Sequence, residues 1–208
     1  MKIAVLAAKG KAGSAIVKEA VNAGFEVSAF ARSEVNFDKR VHCVIKDIFT
    51  LNSADLQGFD VIIDAFGEWQ DLSLHKKHIE HLIKILQDNP ARLLVVGGAG
   101  SLYMDKSHTM RLMDTPSFPP EYLGVAVATA EVLETLREEK KIHWVYVCPP
   151  AVFLPDAPKS GTYKIIGEEF ETNSKNESQC SYADYASAMI EIAKNSKLNR
   201  VRVGVIGL

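Results

Sequence analysis

The chain has 208 residues, of which 47% are hydrophobic and 24% charged, as is typical of one globular domain. Its 24 Lys and Arg residues against 26 Asp and Glu residues give a formal net charge of −2, so no basic surface for nucleic acid is indicated. Cys43, Cys148 and Cys180 are far apart in sequence, which argues against a disulfide framework or a zinc site. Reduced thiols of this kind are typical of cytoplasmic proteins. No segment approaches the roughly 20 apolar residues of a membrane span, so we expect no membrane partner.

Strand and helix patterns alternate along almost the whole sequence. Apolar runs predict strands over residues 3–7, 25–31, 41–46, 61–65, 92–96, 143–147 and 201–206. Helical periodicity predicts helices over residues 11–23, 74–87 and 121–140, and Ser181 with Asp184 resembles a capping box that begins a last helix. Residues 149–162 contain prolines and a glycine and predict a loop. Because such alternation is typical of βαβ units, we expect a single doubly wound α/β domain of the Rossmann type with a mostly parallel sheet.

Three histidines, His75, His78 and His81, are spaced by three along the second predicted helix. A metal site would need further converging ligands, and the sequence offers none beside them. We therefore expect these histidines to lie on a solvated helix face and predict no metal site.

The first predicted strand runs directly into a glycine-containing turn that precedes a helix. The segment is Ala7-Ala8-Lys9-Gly10-Lys11-Ala12-Gly13. A strand, a glycine turn and a helix N-terminus together are the context of a dinucleotide-binding fingerprint, in which free amides hold the pyrophosphate. Gly10 would let the backbone approach the phosphates, and Gly13 would let the helix pack closely on the strand. Ala7 replaces the first glycine of the fingerprint, so an ordinary strand-to-helix turn remains an alternative.

The second predicted strand ends in Ala31-Arg32-Ser33, where dinucleotide-binding domains select their cofactor. An acidic residue at this place would bond the ribose 2′-hydroxyl of NAD, whereas an arginine accepts the 2′-phosphate of NADP. Arg32 and Ser33 therefore favour NADP(H), and the positive charge of Lys9 and Lys11 would lie beside the phosphates. Glu34 is near enough to leave NAD(H) as an alternative.

Short motifs recur at the ends of the later predicted strands. They are Asp47-Ile48, Asp64-Ala65-Phe66-Gly67, Val95-Val96-Gly97-Gly98-Ala99-Gly100-Ser101-Leu102, Cys148-Pro149-Pro150-Ala151, Gly161-Thr162-Tyr163 and Ser181-Tyr182-Ala183-Asp184-Tyr185-Ala186. In order and spacing these motifs and the first turn resemble the atypical short-chain dehydrogenase/reductase group. That group includes NADH-flavin reductases, NmrA-like proteins and flavin/biliverdin reductase-like proteins. The resemblance covers nearly the whole chain and implies an NAD(P)-binding Rossmann domain over residues 1–208, with a small substrate-side portion at about residues 150–208.

On the adenosine side, the resemblance assigns five residues to the cofactor. Asp47 and Ile48 would contact the adenine ring. Ala65, Phe66 and Gly67 would run along the ribose and the pyrophosphate. All five lie at predicted carboxyl ends of strands, where open α/β sheets bind ligands.

On the nicotinamide side, the resemblance assigns two further segments. The wall beside the nicotinamide would be formed by Gly97, Gly98, Ala99 and Ser101, and the carboxamide would be flanked by Pro149, Pro150 and Ala151. Ser101 is the candidate for a polar, catalytic group near the reacting centre.

Two departures from related enzymes bear on the chemistry. The Tyr-x-x-x-Lys pair of many dehydrogenases is absent, since Tyr122 is followed four positions later by Ala126. Ala151 stands where flavin/biliverdin reductases carry a histidine after two prolines. Both absences argue against alcohol, ketone or epimerase chemistry, in which a positioned acid–base group moves a proton.

The sequence therefore favours an NAD(P)H-dependent reductase of a flavin-like, conjugated small-molecule acceptor, because ring-to-ring hydride transfer chiefly requires orientation. Tyr103 and Tyr163 are candidates for the rim of the acceptor pocket, and the long segment 103–120 for a lid. A non-catalytic, redox-sensing protein of the NmrA type is the alternative, and a degenerate domain that binds no dinucleotide is a third reading. We expect a cytoplasmic monomer or homodimer.

Overall fold

The computed structural model describes all 208 residues. The first six strands are β1 (Lys2–Leu6), β2 (Glu26–Ala31), β3 (Val41–Ile45), β4 (Val61–Asp64), β5 (Arg92–Val96) and β6 (His143–Cys148). The remaining strands are β7 (Val152–Leu154), β8 (Tyr163–Ile166), β9 (Gln179–Ser181) and β10 (Val201–Gly207). The helices are α1 (Lys11–Asn22), α2 (Ser73–Leu86), α3 (Pro120–Glu138) and α4 (Tyr182–Lys194).

Eight strands form one sheet in the order β3-β2-β1-β4-β5-β6-β10-β8. Every neighbouring pair is parallel except β10 with β8, which is antiparallel and forms one edge. The first six strands thus have the 3-2-1-4-5-6 order of a dinucleotide-binding sheet, and the predicted single-domain Rossmann fold is confirmed. A separate two-stranded parallel pair, β7 with β9, lies between β6 and α4 in the chain.

Two hydrophobic layers cover the sheet because alternate strand residues point to opposite faces. Ile3 and Val5 of β1 belong to a cluster of 25 buried residues beneath α1 and α4. Ala4 and Leu6 belong to a cluster of 23 buried residues beneath α2 and α3. Both clusters are rich in Val, Ile, Leu and Ala, as is typical of parallel strands that are buried on both faces. The helices leave the carboxyl edge of the sheet free for the loops that follow the strands.

The predicted long elements all form, with ends shifted by about one or two residues. Ser181 caps α4 as expected, since its hydroxyl accepts the amide of Asp184 at 3.0 Å. The prediction of an unbroken loop over residues 149–162 is wrong, because β7 lies within it. The short strands β8 and β9 were also not predicted, since three or four residues carry too little periodicity to mark a strand. None of the four helices combines the length and the apolar character that crossing a membrane requires.

Candidate functional site

The turn between β1 and α1 leaves a helix N-terminus open at the carboxyl edge of the sheet. The amide of Gly10 donates to the Ala7 carbonyl at 3.0 Å and closes the turn. No side chain caps α1, and the amides of Lys11, Ala12 and Gly13 have no acceptor in the chain. A helix start of this kind presents donors and partial positive charge to an anion, so the turn fits a diphosphate.

Gly13 is required by packing. A Cβ at this position would lie 2.7 Å from the Ala7 carbonyl oxygen and 2.9 Å from the Ala8 Cα. Both atoms are backbone, so a side chain would force α1 away from β1. Gly10 differs, because a Cβ there would meet the same Ala7 oxygen at an ordinary 3.4 Å. The close approach of α1 to β1 therefore depends on Gly13, and Gly10 keeps the mouth of the turn open.

Ala7 adopts a positive φ of 52°, a region that side chains other than glycine rarely occupy. It stands where the usual fingerprint has its first glycine. The turn thus keeps its shape despite the alanine, at a strain of roughly 1 kcal/mol.

Cationic side chains gather where the chain leaves β2. The Lys9 ammonium donates to the Ser33 hydroxyl at 2.7 Å, and both residues are exposed. Arg32 is also exposed. It lies near Glu68, a carboxylate whose pKa is lowered by the amides of Gln70 and Trp69 and, to a smaller extent, by the Arg32 charge. The structure thus brings Lys9, Arg32 and Ser33 together at one exposed corner.

At the end of β3, Asp47 begins a short 3₁₀-helix, Ile48–Thr50. One carboxylate oxygen of Asp47 accepts the amide of Phe49 at 2.9 Å, and the other has no partner in the chain. Ile48 is buried in the sheet-facing cluster beneath α2. This arrangement offers a fixed carboxylate acceptor, which suits an adenine amino group, while the buried Ile48 anchors the segment to the core.

Behind the segment that follows β4 lies a buried carboxylate–imidazole pair. Asp64 accepts the Phe66 amide at 3.0 Å through one oxygen, and its other oxygen lies 2.9 Å from His78 Nε2. The ring of Phe66 stacks on His78 with centroids 4.2 Å apart. The pair therefore fixes the backbone of Ala65, Phe66 and Gly67 from behind.

The prediction of a solvated histidine face is wrong for His75 and His78, which are both buried. Burial lowers the pKa of His75, so the neutral ring donates from Nε2 to the Glu68 carbonyl, 2.8 Å away. His81 contacts the Leu51 carbonyl at 3.0 Å. The loop after β4 folds back onto α2, and the histidines satisfy polar groups of that loop and its neighbours. No group of three or more His, Cys, Asp or Glu side chains is placed to hold a metal ion.

The glycines after β5 pack against the protein's own side chains. A Cβ at Gly97 would lie 2.2 Å from the Tyr146 ring, and one at Gly98 would lie 2.4 Å from Thr129 Oγ1. The Gly97 amide donates to the Val147 carbonyl at 2.8 Å, and the Gly98 amide donates to the Tyr146 hydroxyl at 3.0 Å. A ligand could therefore approach the backbone of this segment closely. It could not bond these two amides, because they already donate within the protein.

The comparisons with known proteins identify the family to which the chain belongs. A family model described as NAD(P)H-binding matches residues 7–196, which include the open turn and every strand end described above. The chain belongs to this NAD(P)H-binding family. Membership confirms the resemblance to atypical short-chain dehydrogenases/reductases and makes a nicotinamide dinucleotide the cofactor, without deciding between NADP(H) and NAD(H).

Three relatives span almost the full length. The chain is 39% identical over 209 residues to the uncharacterized protein YwnB of Bacillus subtilis (strain 168), covering 99% of this chain and 98% of YwnB. The crystal structure of SP1627, a proposed NADH-flavin reductase from Streptococcus pneumoniae TIGR4, is 45% identical with a TM-score of 0.96 and full coverage of both chains. A proposed epimerase from Bacteroides thetaiotaomicron is 30% identical with a TM-score of 0.86, covering 100% of this chain and 97% of that one.

In the segment that follows β5, Ser101 does not present its hydroxyl to the open edge of the sheet. Ser101 is buried, and its hydroxyl donates to the Gly98 carbonyl at 3.1 Å and lies 3.6 Å from Cys148 Sγ. Burial raises the pKa of the Cys148 thiol to about 12, so the thiol beside Ser101 is neutral. These contacts suit a residue that shapes the wall after β5.

The segment after β6 turns sharply through Pro149 and Pro150 to the exposed Ala151. The Ala151 amide donates to the Ser178 hydroxyl at 3.2 Å, and the Val152 amide donates to the Ser178 carbonyl at 2.9 Å. Pairing of β7 with β9 continues this contact. The structure thus places Ala151 at the same edge as the open turn, beside a segment from the last quarter of the chain.

A buried arginine that the sequence analysis did not single out supports the segment after β5. Arg202 of β10 donates to the Ser101 carbonyl and forms an ion pair with Glu168, which also pairs with Arg137 at 3.0 Å. The Arg202 guanidinium lies 4.6 Å from the Tyr103 ring centroid. The available signal was an arginine within the apolar final strand, since a buried charge of this kind needs partners.

The long segment between β5 and α3 is folded down. Tyr103 stacks on His108 with centroids 4.3 Å apart, and His108 Nε2 lies 2.9 Å from a Glu169 carboxylate oxygen. Asp105 accepts from Ser107, Thr109 and Met110, and these hydrogen bonds hold its pKa well below the usual value. Tyr103 thereby borders the region after β5, whereas the hydroxyl of Tyr163 donates to Glu191 at 2.8 Å.

Proposed function

We propose that this protein is an NAD(P)H-dependent oxidoreductase that prefers NADP(H) and reduces a flavin or a similar conjugated acceptor by direct hydride transfer. The observation that carries the proposal is the uncapped start of α1, whose three free amides lie at the carboxyl edge of the sheet. These amides would bind the diphosphate, with Gly13 holding α1 close and Lys9 and Lys11 adding charge.

The preference for NADP(H) is supported by the corner formed by Lys9, Arg32 and Ser33. A 2′-phosphate is an additional dianion, and two exposed cations and a hydroxyl at one corner can bind it by charge-assisted hydrogen bonds.

This preference is tested by the Arg32→Ala variant. Its Kd for NADP⁺ should rise at least about tenfold, because a charge-assisted contact is lost, while its Kd for NAD⁺ changes by less than about twofold. Arg40→Ala is the matched control, since Arg40 is an exposed arginine that pairs locally with Asp38. An equal rise in Kd for both dinucleotides would show that Arg32 does not bind the 2′-phosphate.

The remaining parts of the dinucleotide are assigned to residues that follow the carboxyl ends of the strands. Asp47 and Ile48 would hold the adenine, and Ala65, Phe66 and Gly67 the ribose and pyrophosphate. The nicotinamide would lie against Gly97, Gly98 and Ala99, with Pro149, Pro150 and Ala151 beside its carboxamide. Residues of the last quarter of the chain would complete the acceptor side.

The chemistry requires orientation more than proton transfer by the protein. When bound, the reduced nicotinamide supplies a hydride, and the one proton that completes reduction of a flavin acceptor comes from solvent. The wall after β5 would exclude water from one side and keep the ring plane fixed. Ser101 would position this wall through its hydrogen bond to Gly98, since its hydroxyl is buried and engaged.

The direct test is NADPH oxidation by the purified protein with and without riboflavin or FMN. We expect oxidation that depends on flavin and saturates with it. Tight NADPH binding without any flavin-dependent rate would remove the reductase proposal.

That outcome would favour the second candidate, a non-catalytic redox sensor, for which the engaged hydroxyl of Ser101 and the missing Tyr-x-x-x-Lys pair are the supporting observations. A sensor would bind NADPH and NADP⁺ with clearly different affinities. Equal affinities would count against it. For either function we propose a cytoplasmic monomer or homodimer.

A further inference from the structure

An aromatic pair is exposed beside the proposed dinucleotide path. Trp69 is 66% exposed and Tyr122 is 48% exposed, although large aromatic side chains are usually well covered. Their rings contact each other edge to face, with centroids 6.2 Å apart and an interplanar angle of 74°. The pair joins the loop after β4 to the first turn of α3.

The backbone that carries Trp69 is held by hydrogen bonds and packing. One Glu68 carboxylate oxygen accepts the amides of Trp69 and Gln70 at 2.8 and 2.7 Å, and the Glu68 carbonyl accepts from His75. Leu72 of the same loop packs onto α3 so closely that a Cβ at Gly124 would lie 2.9 Å from its Cδ1. Trp69 is therefore presented by a fixed loop, and stacking on it costs little ordering.

The position of the pair connects it to both halves of the site. Trp69 lies shortly after Gly67, in the segment that would follow the pyrophosphate. Tyr122 lies in the first turn of α3, and the next turn of α3 meets the wall after β5, where a Cβ at Gly100 would lie 2.8 Å from Ala126. A ring resting on the pair would thus lie next to the dinucleotide.

The charge around the pair favours an uncharged ligand over a phosphate-bearing one. Residues 67–72 and 119–127 contain Glu68, Asp71 and Glu121 and no lysine or arginine. Arg32 lies near Glu68 and Lys77 near Asp71, so the three acidic residues outnumber the two nearby cations. A phosphate-bearing ligand would meet negative charge here, whereas an uncharged ring system would not.

We propose that Trp69 and Tyr122 form the platform on which the acceptor stacks, and that this acceptor is a neutral, planar, conjugated ring such as the isoalloxazine of riboflavin, in preference to FMN. This inference rests on the proposed function, because it names the substrate class of the same site. It adds two residues that determine acceptor affinity without contacting the dinucleotide.

The experiment measures riboflavin affinity in two ways, as KM in NADPH oxidation and as Kd from quenching of flavin fluorescence by the NADP⁺-loaded protein. In Trp69→Ala and Tyr122→Ala, both constants should rise about tenfold, the loss expected for one stacking contact, while the Kd for NADPH stays unchanged. Trp69→Phe should keep most of the affinity because a ring is retained. Wild-type protein should bind riboflavin more tightly than FMN, and the difference should shrink as salt is added.

Ile45→Ala is the matched control, because Ile45 is an apolar side chain that is 59% exposed on β3, at the far edge of the sheet. It should leave both the KM and the Kd for riboflavin unchanged. Protein emission provides a second readout, since the only other tryptophan, Trp144, is buried. Riboflavin should quench the exposed Trp69 component and spare the remainder.

The possible failures can be distinguished. If wild-type protein binds riboflavin but never oxidises NADPH with it, the reductase proposal falls and the platform is judged by the binding constants alone. Flavin reduction that Trp69→Ala and Tyr122→Ala leave unchanged would overturn the platform and keep the reductase. The platform is equally overturned if the two variants convert a dimer to a monomer in sedimentation velocity without changing riboflavin affinity, since the pair would then be a subunit interface.

Discussion

Two glycine-rich segments follow strands of the same sheet, and they use their glycines differently. At Gly13 the missing side chain brings α1 against β1, and the neighbouring amides are left without acceptors. At Gly97 and Gly98 the missing side chains make room for Tyr146 and Thr129, and both amides donate within the protein. A glycine motif therefore predicts a close approach, and only the hydrogen bonds show whether a ligand or the protein itself is approached.

The largest effect is expected for Gly13→Ala. Its Cβ would press on backbone atoms of Ala7 and Ala8, which cannot rotate away. We expect a loss of roughly 2–3 kcal/mol in the free energy of unfolding and about a hundredfold loss in NADPH affinity, because the helix start is displaced. Urea denaturation and calorimetric titration measure the two quantities.

Gly10→Ala is the control for that variant, since its Cβ meets only an ordinary contact. It should cost at most about 1 kcal/mol of stability and still weaken NADPH binding by obstructing the turn. Unchanged NADPH affinity in both glycine variants would contradict the assignment of the turn to the diphosphate.

Gly97→Ala should have the next largest effect, and on stability first. Its Cβ would overlap the buried Tyr146 ring, so we expect a loss of about 3 kcal/mol in the free energy of unfolding. The fraction that remains folded should bind NADPH within a few-fold of wild type, because the open turn is intact. If Gly97→Ala were stable but had lost NADPH binding, the segment after β5 and not the turn before α1 would be the one that binds the dinucleotide through its backbone.

Tyr146→Phe tests the hydrogen bonds behind the same wall. The Tyr146 hydroxyl donates to the Thr129 carbonyl at 2.8 Å and accepts the Gly98 amide, so its removal leaves two half-buried groups without this partner and costs about 1 kcal/mol. Burial raises the pKa of Tyr146 far above its usual value. The hydroxyl is thus neutral through the range of ordinary buffers, and the stability difference between variant and wild type should not change between about pH 6 and 9. A difference that changes across this range would show that the hydroxyl ionises.

The smallest effect is expected for Ala7→Gly, which restores the usual fingerprint glycine at a positive φ. Relief of strain should exceed the entropy that glycine adds to the unfolded chain, and we expect a gain of about 0.5 kcal/mol with unchanged NADPH affinity. The gain in stability is measured as a rise in the midpoint of thermal unfolding. A loss of stability would show that Ala7 is not strained.

The sequence was most informative where one local pattern determines one element. Buried parallel strands such as β1 and β5 appear as apolar runs, and α1 and α2 show clear periodicity, so the fold was predicted almost completely. The short strands β7, β8 and β9 were missed because their pairing depends on distant segments. His75 and His78 were misplaced for a related reason, since only the folded loop after β4 creates the carbonyl and carboxylate that cover them.

For the candidate site, strand ends could be predicted because topology places them on one edge. What the side chains do there could not. Ser101 lies in the expected segment, but its hydroxyl is engaged by a carbonyl of the same turn. The exposure of Trp69 and the support given by Arg202 depend on contacts between segments far apart in sequence.

Amide hydrogen exchange followed residue by residue by NMR tests the central claim most directly. At saturating NADPH, exchange at Lys11, Ala12 and Gly13 should slow by at least about tenfold, because their free amides gain a phosphate acceptor. Gly97 and Gly98, whose amides are already bonded, should change little. Unchanged exchange at all three α1 amides in a fully bound sample would contradict the account.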